Sequence, residues 1–204
     1  MAMLRNDSIR KQCMAEMDKA RLPAEADNAI PRFDSAILVK QPLLQSVFSE
    51  VLRHEVTIFM ARSVEEDYSV GGYTLPKDSK VLVSAHVEHM DKSRWETRPN
   101  AESHSVKDFW PERFLKYDKN TGKPFFSLDG TFIPFGIGRN MCPGRHFSAH
   151  VILSIAAVLI NTFEFEFTGP NDWENVTRDY RSFGYSTSRP GKKTPLGMKR
   201  KNAV

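Results

Sequence analysis

Residues 132–149 read FIPFGIGRNMCPGRHFSA, and the one cysteine among them, Cys142, separates two kinds of sequence. Ahead of it, Pro134, Gly136 and Gly138 punctuate a backbone that forms neither a regular helix nor a regular strand. Behind it come Pro143 and Gly144, then a run over 147–160 that is apolar nearly all round. That run predicts a deeply buried helix. Cys142 therefore falls in a glycine-bearing loop just before a helix N-terminus, where partial positive charge and free backbone N–H groups favour a thiolate. Arg139 and Arg145 flank it with further positive charge. A thiolate so presented can serve as nucleophile, redox sensor or metal ligand. The plain alternative is a small buried hydrophobe, because cysteine is among the most buried residue types.

Phe135, Gly136, Gly138, Cys142 and Gly144 spell F-G-x-G-x-x-x-C-P-G. The pattern resembles the haem-thiolate loop of the cytochrome P450 family, and CPGRHF over 142–147 looks like members from filamentous fungi. The resemblance implies that Cys142 is the axial ligand of a haem b iron and that Phe135 shields its sulfur. It also implies that Gly136, Gly138 and Gly144 let the backbone pass close to the porphyrin, where a Cβ would collide. A thiolate ligand pushes electron density onto iron and favours O–O cleavage. The family usually carries a basic residue two positions before the cysteine. Asn140 stands there in this chain, and the resemblance assigns Arg139, one position earlier, to a haem propionate.

Working outward, Pro42 opens a helix at its favoured first position, and Leu44, Val47, Phe48, Val51 and Leu52 make an apolar stripe that predicts a helix over about 42–56. Glu50 and Arg53, three apart, are neighbours on one face. Taken alone they read as a surface ion pair worth about a few tenths of a kcal/mol. Glu50-Val51-Leu52-Arg53 nevertheless resembles the E-x-x-R helix of the same family, and Pro111-Glu112-Arg113-Phe114 its P-E-R-F segment. That resemblance implies a buried Glu50–Arg53–Arg113 network pinning the segment before the cysteine loop. It also assigns Arg62 to a haem propionate, against the alternative of a solvent-facing arginine. Residues 57–62 and 183–188 match segments that reach the substrate.

The rest of the chain connects these motifs. Leu4, Ile9, Cys13 and Met17 recur at helical spacing and predict an amphipathic helix over 1–22, ended by Pro23; 23–41 reads as a loop with room for one short turn. Two β-prone runs around Gly71-Gly72 predict a hairpin over 67–76, and 80–85 a strand. Residues 86–95 look like the short helix and turn that follow that strand in the cytochrome P450 family, and their His86 and His89 lack a carboxylate or cysteine partner nearby for a metal site. The polar stretch 115–131 reads as a surface loop. FEFEFT over 163–168 alternates as a strand, and 169–198 is irregular with short strands.

The chain has 204 residues and a formal net charge of +4. That excess is spread out apart from Lys199-Arg200-Lys201, read as a solvated terminus, so no clustered face for nucleic acid emerges. Cys13 and Cys142 form no disulfide framework and fit a reducing compartment. Residues 1–21 are too charged for a signal peptide, and the longest apolar run is too short to span a bilayer.

The expected fold is mainly α with small β-sheets (α+β), a single domain over 1–204 forming the C-terminal, haem-proximal half of the cytochrome P450 fold. The resemblance covers about 40–195. The family's distal-helix motif, A/G-G-x-D/E-T, does not occur in the sequence. The implied activity is a monooxygenase inserting one atom of O2 into a hydrophobic small molecule in fungal secondary or lipid metabolism. NADPH-cytochrome reductase would be the electron donor, at the cytosolic face of the endoplasmic reticulum. The alternatives are a truncated haem-binding or inactive remnant and a thiol protein that uses Cys142 without haem.

Overall fold

The computed structural model describes residues 6–26, 29–96, 104–128, 130–168, 178–179, 181, 183–184, 187–191 and 195–201. Helix α1 spans Asp7–Asp18, shorter than the predicted 1–22; its N-cap Asn6 accepts from Ile9 N, and residues 1–5 lie outside the described ones. A one-turn helix, α2 (Ser35–Leu38), is capped by Asp34. Helix α3 (Pro42–Glu55) carries Pro42 in its first turn, but its N-cap Gln41 makes no side-chain capping bond. The cap comes from α1: the buried Glu16 carboxylate accepts from Leu43 N at 3.1 Å and Leu44 N at 2.8 Å. A carboxylate at a helix N-terminus satisfies orphan donors and faces the positive end of the dipole. Burial pushes the Glu16 carboxyl up from its usual range, opposed by the two N–H bonds and by Lys19. Sequence reading did not single out Glu16, because nothing local marks a cap supplied from another helix.

Strand β1 (Phe59–Ser63) is followed by the hairpin of β2 (Tyr68–Val70) and β3 (Tyr73–Leu75), then by β4 (Lys80–Ser84), which returns antiparallel to β1. Gly71 and Gly72 make the hairpin turn with φ of +58° and +82°, the left-handed region that favours glycine. Short helices α4 (Ala85–His89) and α5 (Lys92–Trp95) follow. A 3-10 turn, Pro111–Phe114, leads into β5 (Leu115–Tyr117), which pairs antiparallel with β6 (Pro124–Phe126). This hairpin corrects the surface-loop reading of 115–131. Its turn is built by Asp118, whose carboxylate accepts from Asn120 N and Thr121 N, and by Gly122 at φ +65°.

Helix α6 (Arg145–Thr162) carries the apolar run behind Cys142. It is not buried all round. Ala149, Leu153, Ala157 and Ile160 form one buried stripe, while Phe147 is 73% and Ile155 54% exposed. The helix packs chiefly against α1, α2 and α3, with His150 bonded to Ser35 and Asn161 to Arg21 beside the stripe. Strand β7 (Phe163–Phe167) pairs antiparallel with the last strand, and the short β8 (Arg178–Asp179) pairs with β9 (Arg189–Pro190). Much of 169–198 lies outside the described residues. The basic run lies in a strand with its first two side chains still solvated: Lys199 and Arg200 belong to β10 (Leu196–Arg200) and are exposed, and Lys201 Nζ donates to Ile160 O at 2.9 Å.

The architecture is therefore helices with small two-stranded antiparallel sheets, the expected α+β class. The main core gathers Cys13, Met17, Leu38, Leu44, Val47 and Phe48 against the buried stripe of α6; a smaller cluster holds Trp95, Val106 and Phe114. Among the described residues no helix is long and apolar enough to cross a membrane.

Candidate haem-thiolate site

The site rests on a buried ion network. Glu50 and Arg53 are both fully buried on α3. Arg53 Nε donates to Glu50 Oε2 at 2.7 Å and Nη2 to Oε1 at 2.8 Å, a bidentate pair of the strong, charge-assisted kind. Glu50 Oε1 also accepts from Trp110 N at 3.0 Å and Arg113 Nε at 3.5 Å, with His54 Nε2 3.4 Å away. The remaining guanidinium donors reach backbone carbonyls: Arg53 to His89 and Asp108, Arg113 to Trp95 and Ser105. Burial alone would push the Glu50 carboxyl up. The Arg53 and His54 bonds, the Arg53 charge and the Trp110 N–H outweigh it and hold the group down at about 2. Two segments, α3 and 110–113, thus converge on one carboxylate, and the guanidiniums bound to it reach three more stretches of backbone. Because desolvation offsets much of the Coulomb gain of a buried pair, the use of this network is positional.

The segment after the P-E-R-F turn runs into the cysteine loop. Ile133 N donates to His89 Nε2 at 3.0 Å, and Ile133 O accepts from Gly136 N at 3.1 Å. Gly136 and Gly138 lie at φ +83° and +70°, a region that only glycine enters without strain. A 3-10 turn, Gly138–Asn140, brings the chain round so that Cys142 N donates to Phe135 O at 2.9 Å. Cys142 O accepts from Arg145 N at 3.4 Å and Arg145 Nη1 at 3.3 Å, which joins the loop to the first turn of α6. Cys142 is exposed, so the small-buried-hydrophobe reading does not hold for it. It does hold for Cys13, whose thiol is 0% exposed and pushed up to about 12, chiefly by burial and then by the Glu16 charge. A Cβ on Gly144 would lie 3.7 Å from Cys142 Sγ.

Phe135 is half-buried and packs on the main core from within the loop. Arg62, exposed on β1, donates to Ala61 O at 2.8 Å and across to Ile137 O at 3.0 Å, so it stands against the loop. Arg139 is exposed in the 3-10 turn, two residues beyond Ile137. Residues 57–62 and the described part of 183–188 are brought together: Phe59 N donates to Gly184 O at 2.9 Å, and Val56 and Thr187 form a bridge. Phe183 meets Phe59 and His86 edge-on, each at 5.7 Å between ring centroids. Residues 182, 185 and 186 lie outside the described ones.

The donor chemistry suits a prosthetic group more than a bare ion. Among the described residues no group of three or more His, Cys, Asp or Glu side chains could hold a metal ion, whereas one exposed sulfur ahead of a helix N-terminus suits an iron whose other ligands come with a macrocycle. Ile137 and Met141, in the same loop, expose apolar surface. Beside the loop lies a cavity of 680 Å³ with Phe48, Leu52, Phe135 and Met141 in its wall. Its ionisable lining residues, Lys40, Arg145, His146 and His150, are all basic in type.

Two contributors escaped the sequence reading. The backbone N–H of Trp110 is one, and no side-chain pattern signals it. His89 is the other: in the sequence it stands beside His86 as no more than a second histidine, and nothing local distinguishes the two.

The family profile described as Cytochrome P450 matches residues 1–189. The chain is 32% identical to the cytochrome P450 monooxygenase fsoE of Humicola fuscoatra over 98% of its own length and 38% of that relative's. It is 30% identical to the cytochrome P450 monooxygenase efuG of Hormonema carpetanum, over 97% of the chain and 39% of the relative. Oryzalexin D synthase of Oryza sativa subsp. japonica is 34% identical over 82% of the chain and 31% of the relative. The chain thus spans roughly two fifths or less of the length of these relatives. With the cysteine loop, the Glu50-centred network and a profile match over nearly all its residues, the chain belongs to the cytochrome P450 family.

Proposed function

We propose that Cys142 is the axial ligand of a haem b and that this chain supplies the proximal wall of a monooxygenase, which inserts one atom of O2 into a hydrophobic small molecule. The observation that carries the reading is the loop itself. An exposed thiol stands ahead of a helix N-terminus, on a backbone turned by two glycines at positive φ and closed by the Cys142 N–Phe135 O bond. A haem ligated by thiolate supplies dioxygen activation, with electron density pushed onto the iron by sulfur.

The chain's own residues do the holding. Gly136, Gly138 and Gly144 keep side chains out of the way of the macrocycle, and Phe135 would shield the sulfur once it is ligated. Arg62 and Arg139 face the propionates, a task that suits a planar, permanently charged guanidinium. The joined segments 57–62 and 183–188 form part of the substrate wall. Glu50, Arg53 and Arg113 hold the segments that converge on the loop. The basic types lining the neighbouring cavity favour an acidic electron-donor surface, in keeping with NADPH-cytochrome reductase at the cytosolic face of the endoplasmic reticulum. The fungal relatives fsoE and efuG, both named cytochrome P450 monooxygenases, support the monooxygenase reading, which we place in fungal secondary or lipid metabolism.

The test is the carbon monoxide difference spectrum of the reduced, haem-loaded chain. Cys142→Ser abolishes the red-shifted thiolate band, and Cys13→Ser leaves it in place. A thiolate band surviving in Cys142→Ser overturns the assignment. Product formation with reductase, NADPH and a panel of hydrophobic substrates then measures the reaction itself.

A further inference from the structure

The two ring nitrogens of His89 are treated differently by the fold. The ring is fully buried, 5.3 Å from Phe132 and 6.3 Å from Trp95 between centroids. Nε2 lies 3.0 Å from Ile133 N, a backbone N–H that can only donate, so Nε2 presents its lone pair. In a neutral ring the proton then sits on Nδ1, and Nδ1 is buried with no hydrogen-bond partner among the described residues. An unpaired buried polar atom is uncommon and calls for an explanation. The explanation here is the acceptor that the same ring turns toward the loop.

His89 also engages the other side of the site. Its backbone carbonyl accepts from Arg53 Nη1 at 2.9 Å, so one residue touches the buried ion network through its backbone and the loop through its ring. From Ile133 the path continues through Ile133 O to Gly136 N at 3.1 Å, and from Phe135 O to Cys142 N at 2.9 Å. Arg62 holds the loop on its other limb, at Ile137. We propose that His89, kept as the neutral Nδ1–H tautomer, is a positioning residue that transmits the placement of the Glu50–Arg53 pair to Ile133 and so sets where Cys142 Sγ is presented. The inference deepens the haem-thiolate reading and rests on it for what the loop holds. Its bond geometry does not depend on haem.

The ring's neutrality has a physical basis. Burial first, then the charges of Arg53 on α3 and His86 on α4, lower the His89 pKa to about 4; the Arg53 bond to its backbone and the Glu50 charge oppose them.

Three measurements on the chain without haem test this. Nitrogen NMR of the histidines in the wild-type chain near pH 7 should show His89 as the neutral Nδ1–H tautomer; an Nε2–H ring or an imidazolium overturns the proposal. His89→Phe keeps the ring volume and removes the acceptor, whereas His89→Gln can return a carbonyl oxygen to Ile133 N–H. Amide exchange at Ile133 should quicken by about ten- to a hundred-fold in His89→Phe and recover in His89→Gln. The rate of Cys142 alkylation, read in a Cys13→Ser background, should change in His89→Phe and return with His89→Gln. Equal loss of melting temperature in both variants with unchanged Cys142 reactivity would mean the ring only fills space, and overturns the proposal. If His89→Phe does not fold, the wild-type tautomer and the His89→Gln rates decide the matter. In the haem-loaded protein, His89→Phe should lose thiolate-type band that His89→Gln retains. A wild-type chain with no such band refutes the haem reading, while the tautomer, exchange and alkylation results still decide this one.

Discussion

Replacing Glu50 by Ala removes the one carboxylate on which Arg53, Arg113, His54 and Trp110 N converge. Both guanidiniums stay behind with side chains 0% exposed, and neither can lose its charge. Their bonds to the carbonyls of His89, Asp108, Trp95 and Ser105 remain, but neutral carbonyls do not balance two buried positive charges. Breaking a buried pair in this way costs about 3–5 kcal/mol. For a chain of this size each kcal/mol moves the melting temperature by about 2–4 °C, so the variant should melt roughly 6–20 °C lower. Glu66 is an exposed acidic residue, and Glu66→Ala should stay within about 0.5 kcal/mol of the parent. The assay is calorimetric melting of both variants beside the parent at neutral pH. Equal shifts for the two variants would refute the reasoning, because they would mean that Glu50 contributes no more than a solvated side chain.

The same groups set the acid response. Glu50 is lowered from 4.5 to about 2, so its contribution is present above about pH 4.5 and is lost as pH falls toward 2; in full it amounts to about 3 kcal/mol. His89, lowered from 6.5 to about 4, also favours the fold most above pH 6.5, since below that the unfolded chain takes up a proton the native ring refuses. Melting temperature should therefore fall in two stages on acidification, and the upper stage should vanish in His89→Gln; a profile flat from pH 7 to 4 contradicts this. Glu16 works in the opposite sense: its raised pKa makes the charged form costly at neutral pH, and Glu16→Gln should flatten that part of the profile while retaining one acceptor for the α3 N-terminus. Glu16→Ala should cost about 1 kcal/mol as a lost cap, measured by denaturant unfolding; no loss would mean that solvent caps α3 equally well. Gly184→Ala should destabilise the joined segments, because φ is +91° and the new Cβ would fall 2.6 Å from Phe59 Cε2; an unchanged melting temperature and an unmoved Phe59 ring by NMR would argue against that contact.

Several elements of the fold follow from residues close together in sequence. Pro42 and the apolar stripe behind it define α3, Gly71-Gly72 the β2–β3 hairpin, and FEFEFT the strand β7, because first-turn proline, positive φ and side-chain period are properties of neighbouring residues. The glycine punctuation around Cys142 is legible in the same way, as is the three-residue spacing that makes Glu50 and Arg53 a pair.

Burial and partnership were decided by the tertiary structure. Glu50 and Arg113 are 63 residues apart, and His89 and Ile133 are 44 apart. No local pattern can report that Arg113 donates to the Glu50 carboxylate or that the second pair joins a ring to a backbone N–H. Helix α6 shows the limit most clearly. Its run over 147–160 is apolar nearly all round, yet its buried apolar side chains are Ala149, Leu153, Ala157 and Ile160, on one stripe, because packing requires a partner surface and composition does not supply one. The basic run at Lys199 and Arg200 became an edge of β10 for the converse reason: a strand needs a neighbour for its N–H and C=O groups, and β7 provides it whatever charge the side chains carry.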